Sequence, residues 1–372
     1  METELNIPTG WRLAIIAAFA AVTATSVSLG LQHKPTSSEP NGRRASYAKY
    51  FSGPVPTPAP TATPLRTIGI SSMTSGLRDF AVERGRLFGL QAPPSRRLVT
   101  ADIPLRGLVA SNATAKALDL VDPSSIVVAE ADGSPWIYDF RLGSFGSQGA
   151  AAAGANRPSI TLQPALFQPT WLGSRIVANG LFAHELLRIF TPSGKPDGTL
   201  GQSPFPKVVP DIAMHLNRNA LVSNPAHTRV ALAFLYVARL EIMSSDGMDR
   251  ALSGPTEVKL AYRTMNDPVE GIERFLRTDD TRFAYVDIAA DDDRVYALFS
   301  GRSRGEWKEA AGLGDTLDIW TWDGDFVGEW RLPKPVSCIA VDYRSHRLYA
   351  AVAEPQPNLL EFDTASFGPR GR

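Results

Sequence analysis

The chain of 372 residues is poor in several things that would give away a function. It has a single cysteine, Cys338, so no intrachain disulfide can staple it. That cysteine lies in Val336-Ser337-Cys338-Ile339-Ala340-Val341, an alternating apolar stretch, and reads as a buried free thiol. A reactive thiol would need an electropositive, partly open setting, and the sequence shows none. Histidine is scarce, five in all, and none pairs with another or with Cys338 at metal-ligand spacing. Net charge is absent: 38 basic residues stand against 38 acidic ones. No global field draws the chain to nucleic acid, so a general nucleic-acid binder is excluded. Strong helical periodicity is rare as well, and only Leu77 to Phe88 reads as an amphipathic helix.

The signatures of catalysis are also wanting. No Gly-x-Ser-x-Gly elbow and no Gly-x-x-x-x-Gly-Lys-Ser/Thr loop occurs. Gly312-Leu313-Gly314 lacks the third glycine of a dinucleotide fingerprint. His184-Glu185-Leu186-Leu187-Arg188 begins like a zinc-protease helix, but Arg188 stands where the second histidine must be and the segment reads as a strand. Asp291-Asp292-Asp293 lacks the alternating oxygens of a calcium loop and reads as a solvated hairpin turn. No catalytic residue, metal ligand or cofactor is assigned.

What the sequence does contain begins at its N-terminus. Leu13 to Leu31 carries no charge and just reaches the length that spans a bilayer as a helix. Its small residues near Ala24 and Ser28 equally suit a cleaved signal peptide. Residues 1–31 are therefore expected to be a signal peptide or membrane anchor, followed by a linker over 32–65. Alternate prolines from Pro54 to Pro64 forbid a helix and favour an extended stalk. Arg43, Arg44 and Lys49 run against this topology under the positive-inside rule. The expected location is extracytoplasmic, in the periplasm or cell envelope.

From about residue 97 onward, short apolar strands alternate with turn chemistry. Second strands of a recurring unit are read at Ile126–Ala129, Arg175–Ala178, Asn219–Val222, Arg294–Ala297 and Arg347–Ala350. Third strands follow at Trp136–Phe140, Leu186–Phe190, Arg239–Met243, Leu317–Trp322 and Leu359–Phe362. Ser193-Gly194, Asp246-Gly247 and Asp323-Gly324 supply the left-handed residue of a tight hairpin. Copies start about 45 to 55 residues apart, the period of a propeller blade. Leu98 to Val109 is expected to supply edge strands that close the ring, and a charged segment, Glu257 to Asp280, interrupts it. The reading is an all-β fold, a β-propeller of six blades of four antiparallel strands over residues 66–372; a β-sandwich is the alternative.

Ile189-Phe190-Thr191-Pro192-Ser193-Gly194-Lys195 and Ile319-Trp320-Thr321-Trp322-Asp323-Gly324 resemble the blade-ending phrase of TolB-like six-bladed propellers, the bacterial lipoprotein-like group. Phe145-Gly146-Ser147-Gln148-Gly149 and Leu200-Gly201-Gln202-Ser203-Pro204 are degenerate copies of the phrase that often follows it. The chain departs from that group in lacking a lipid-anchor cysteine. The resemblance implies an exported binding or scaffold protein with no shared catalytic residues.

Loops after the second strands should share one rim, at Glu130–Pro135, Asn179–His184, Ser300–Asp315 and Glu354–Asn358. Arg302, Arg304 and Trp307 in the longest, with Asn179 and His184, are the candidate residues for a partner or ligand, because arginines around a tryptophan suit an anionic group. The expected function is non-enzymatic: a membrane-held propeller displaying one face to a protein or small ligand. Two alternatives remain open. One is a metal-dependent hydrolase, lactonase or lyase with its site in the central channel; the other is a purely structural envelope protein.

Overall fold

The computed structural model describes residues 59–69, 77–91, 98–103, 109–111, 123–128, 135–147, 159–163, 166–307, 312–352 and 358–368. The expected anchor and most of the linker, residues 1–58, lie outside them. Among the described residues, no helix is long and apolar enough to cross a membrane.

The first strand, β1 (Arg66–Gly69), stands apart from the blade that follows it in sequence. Blade one is β2 (Leu77–Glu83), β3 (Arg86–Gln91), β4 (Leu98–Asp102) and β5 (Val109–Ser111). Blade two is β6 (Pro123–Val128), β7 (Pro135–Asp139), β8 (Ser144–Ser147) and β9 (Ser159–Thr161). Blade three is β10 (Leu166–Leu172), β11 (Arg175–Gly180), β12 (Glu185–Phe190) and β13 (Pro196–Gln202). Blade four is β14 (Asn219–Ser223), β15 (Arg229–Phe234), β16 (Arg239–Ser244) and β17 (Gly247–Ser253). A two-stranded hairpin, β18 (Arg263–Asn266) and β19 (Glu273–Leu276), fills the charged interruption.

Blades five and six share a strand. β20 (Tyr285–Ala290), β21 (Arg294–Phe299) and β22 (Gly314–Thr321) pair with the first part of β23 (Phe326–Asp342). Beyond Pro333 and Pro335, which have no N–H to give a ladder, the same strand becomes the innermost strand of blade six. There it pairs with β24 (Arg347–Val352), which pairs with β25 (Asn358–Asp363). The outermost strand of blade six is β1, antiparallel to β25 from Arg66↔Glu361 to Gly69↔Asn358. The first described strand thus completes the last blade and locks the ring. The innermost strands β2, β6, β10, β14, β20 and β23 touch one another in cyclic order, with β23 returning to β2. These are the six four-stranded blades expected.

Each junction between neighbouring blades is one apolar seam. Phe88, Leu90 and Ile137 join blades one and two, and Tyr138, Phe145 and Ile176 join two and three. Val177, Leu187 and Leu232 join three and four, while Ile242, Val295 and Trp320 join four and five. Tyr296, Ile319 and Leu348 join five and six. Ile68, Phe80, Cys338 and Tyr349 join six and one. Burying strands on both faces removes the period-two alternation a solvated sheet would show. The strand β21, Arg-Val-Tyr-Ala-Leu-Phe, is buried from its second residue onward.

That loss of alternation explains where sequence reading missed. Leu77 to Phe88 is a hairpin, not a helix: β2 and β3 meet at Arg84 and Gly85, both with positive φ (52° and 70°). Its apolar runs, buried on two faces, mimic helical spacing. Leu98 to Val109 does not close the ring; it forms the third strand of blade one and the start of the fourth. Ile126 and Asn219–Val222 belong to innermost strands, and Trp136–Asp139 is a second strand, one place earlier than expected. Asp291 is not a solvated turn residue. It is 7 % exposed, and its carboxylate accepts the N–H groups of Asp293 and Arg294 and the Tyr296 hydroxyl at 2.7 Å. The turns at Gly194, Gly247 and Gly324 join third to fourth strands with positive φ, as expected. The end of the linker is part of the body: Ala62 N–H bonds Arg331 O and Arg331 N–H bonds Pro60 O, both at 2.7 Å.

Candidate functional site

The ring encloses a channel. All six inner strands start at one end of it, and the loops from second to third strands return to that same end. This face therefore carries both the channel mouth and most of the rim loops named above.

The rim residues fare unequally. Arg302 is 7 % exposed; its guanidinium pairs with Asp315 at 2.6 Å and donates to Leu313 O at 3.1 Å. It staples its own loop shut. Asn179 is 1 % exposed and is held inside the fold, donating to Asn219 O at 2.8 Å and accepting Gln168 N–H at 2.8 Å. Arg304 is exposed on the short helix Arg304–Trp307. His184 is exposed, and its carbonyl accepts Ser203 N–H at 2.7 Å. The Trp307 side chain, and residues 129–134 and 353–357 of the other rim loops, lie outside the described residues. β6 and β7 are first and second strands, so the Glu130–Pro135 connection leaves from the opposite end of blade two. Of the four whose side chains are described, Asn179 and His184 belong to blade three, Arg302 and Arg304 to blade five.

What it gathers instead is a basic and aromatic mouth. A depression of about 290 Å³ is lined by Arg78, Phe167, Arg218, Leu235 and Tyr285. Arg218 lies over the Phe167 ring at 5.4 Å. Arg277 lies 5.8 Å from both the Tyr236 and Phe283 rings. The wholly buried Tyr236 hydroxyl faces the Arg218 guanidinium without a well-formed hydrogen bond to it. No carboxylate pairs with Arg218 or Arg277 among the described residues, whereas three arginines nearby are paired: Arg274 with Asp211, Arg282 with Glu306, Arg239 with Glu241. Burial, reinforced by Arg277, lowers the affinity of Arg218 for its proton, although a guanidinium stays charged. Helix Pro210–Leu216 and the β18–β19 hairpin buttress this edge through Ile212, Leu216, Tyr236 and Phe275.

Deeper in the channel the charge changes sign. A cavity of about 170 Å³ is lined by Asp79, Ser125, Gln168, Asp287 and their neighbours. Most inner strands open with a bulge, and the residue after it reaches across to the next blade. Asp79 Oδ2 accepts Ile126 N–H at 2.9 Å, Gln168 Oε1 accepts Leu221 N–H at 2.9 Å, and Asp287 Oδ2 accepts Ile339 N–H at 2.7 Å. Burial raises the Asp79 carboxyl to about 7 and the Asp287 carboxyl to about 8, the second also through repulsion from the first. Burial pushes the Cys338 thiol, in the blade between them, well above its ordinary range, so it is no nucleophile. Among the described residues no group of three or more His, Cys, Asp or Glu could hold a metal.

Sequence reading missed both clusters. The Asp287 carboxylate carried a signal, a lone acid inside the otherwise apolar Tyr285-Val286-Asp287-Ile288, whereas Asp79 follows Arg78 and reads as half of a charged pair. Arg218 and Arg277 carried none, since they come from separate connections that only the ring brings together.

No family model matches the chain, and no curated protein does. Among solved structures, it is similar to the β-propeller domain of Myceliophteria thermophila Cps50 (Swd1), at 11 % identity and a TM-score of 0.45, over 81 % of this chain and 99 % of that one. A chain of the mitotic checkpoint complex is similar at 10 % identity and 0.47, over 90 % and 99 %. Chaetomium thermophilum Raptor is similar at 7 % and 0.46, over 82 % of this chain and 29 % of that one. The β-propeller assignment itself rests on the six blades and their seams.

Proposed function

We propose that this chain is a non-enzymatic binding propeller of the cell envelope, whose channel mouth receives an acidic segment of a partner protein. The observation that carries the reading is the pair Arg218 and Arg277, set against aromatic rings with no carboxylate partner among the described residues. The half-buried Arg218 guanidinium is partly desolvated and oriented over its ring before any ligand arrives, and the exposed Arg277 adds a second charge beside it, which favours a carboxylate there. The uncharged run Leu13–Leu31, the Pro-rich stalk and the TolB-like phrases support an envelope location.

The test is fluorescence anisotropy of a labelled hexaglutamate peptide against the full chain. Saturable binding that weakens as salt rises, and that falls about tenfold or more in Arg218→Ala/Arg277→Ala, supports the mouth as the binding face. Equal binding by that variant, with an unchanged melting temperature, sinks it.

A further inference from the structure

The channel wall carries two carboxylates, Asp79 and Asp287, that lie in no ion pair among the described residues. Each gives Oδ2 to a neighbouring blade's N–H. Arg78, next in sequence to Asp79, lowers that carboxyl less than burial raises it. The other titratable groups lining the cavity have partners of their own: Glu83 pairs with Arg344 at 2.9 Å, His227 Nδ1 contacts Ser223 Oγ at 3.1 Å, and the Tyr343 ring lies under the Arg344 guanidinium at 5.0 Å. Ser125 supplies an independent sign of a ligand. It is 2 % exposed, lines the same cavity, and its hydroxyl has no hydrogen-bond partner among the described residues. Buried hydroxyls without partners are rare and mark a place where something else completes the bond.

The donors expected there are not those of a metal ion, because no metal-holding group of three converges among the described residues. The acceptors are instead spread around the wall, with Ile126, Leu221, Ile288 and Ile339 between them. An ammonium group has three donors that can reach separate acceptors, and an alkyl body suits the apolar stretches between. A space of about 170 Å³ is of the size that holds one small molecule.

We propose that the channel binds a small alkyl diammonium compound, one nitrogen held by Asp79 and Ser125 and the other by Asp287. This site is separate from the mouth and does not depend on it. The test is isothermal titration of the full chain with cadaverine, with 1-pentanol and calcium chloride as controls. The expected result is saturable heat from cadaverine alone. Asp79→Asn/Asp287→Asn, which keeps the oxygens that accept the two N–H groups, should weaken it about tenfold or more, and Ser125→Ala about threefold. Absence of saturable heat, equal affinity for pentanol, or binding of calcium in place of the amine overturns the proposal. Unchanged affinity in either variant also overturns it, and should the double variant not fold, Ser125→Ala decides alone.

Discussion

The mouth and the wall of the channel are built from opposite charges by opposite means. At the mouth, Arg218 and Arg277 come from connections outside the blades and lean on rings. In the wall, Asp79 and Asp287 come from the same place in two inner strands and are tied to backbone N–H groups of the next blade. The mouth keeps its charge at any physiological pH, because a guanidinium does not give up its proton. The wall acids, raised to about 7 and about 8, change charge within that range. The difference teaches that a propeller has two places for charge. One is set by the connections between blades; the other is set by the blade repeat and tuned by burial.

The largest effect expected on this contrast is at the mouth. Arg218→Glu/Arg277→Glu should remove hexaglutamate binding altogether in the anisotropy assay, since like charges facing a ligand cost several kcal/mol. If the reversed pair still binds the peptide, the mouth is not its seat.

The wall should answer to pH instead. Both acids hold their protons more tightly when folded than when unfolded. Their contribution to stability is therefore greatest below the unfolded value near 4, declines as pH rises, and levels off above about 8. Asp79→Asn/Asp287→Asn should melt a few degrees above the native chain at pH 9, with a gap of about 2 °C per kcal/mol that narrows towards pH 5. A pH-independent gap in differential scanning calorimetry would show that the acids are ionised throughout.

A smaller effect is expected where sequence reading placed the site. Arg302→Ala strips Asp315 of its partner and should cost about 1–3 kcal/mol of stability in urea titrations. It should leave peptide affinity unchanged. The smallest effects belong to Arg304→Ala and His184→Ala, both exposed, which should stay within about 0.5 kcal/mol in the same titrations. A large loss of peptide binding in either would move the partner site out to the rim.

The blade period was legible because Asp246-Gly247 and Asp323-Gly324 mark hairpins whose backbone few other residues adopt. Blade phase was less so. An inner strand such as Asn219–Val222 and a second strand such as Arg294–Ala297 are both apolar on two faces, and nothing local tells them apart. The closing strand Arg66–Gly69 was hidden because its partner Asn358–Asp363 lies at the far end of the chain. Of the rim, sequence showed which loops were long but not which side chains they turn inward. Arg302 looks the same as Arg304 in sequence, and only its partners in the fold, Asp315 and Leu313 O, set it apart. Asn179 sits at the end of a strand, where exposure is usual, yet Gln168 and Asn219 enclose it.

The lacing of residues 60–69 across two blades has a mechanical consequence. Pro60 and Ala62 bond to Arg331 in blade five, and Arg66 to Gly69 pair with blade six. A pull on the chain ahead of residue 60 therefore loads those two bonds at Arg331 before the β1–β25 ladder, and that ladder before any seam. The part of the ring that fails first under tension is the part that closes it. A tethered body would open at its clasp, and the load needed to do so would be set by a handful of backbone bonds and the Arg66–Glu361 ion pair at 2.6 Å.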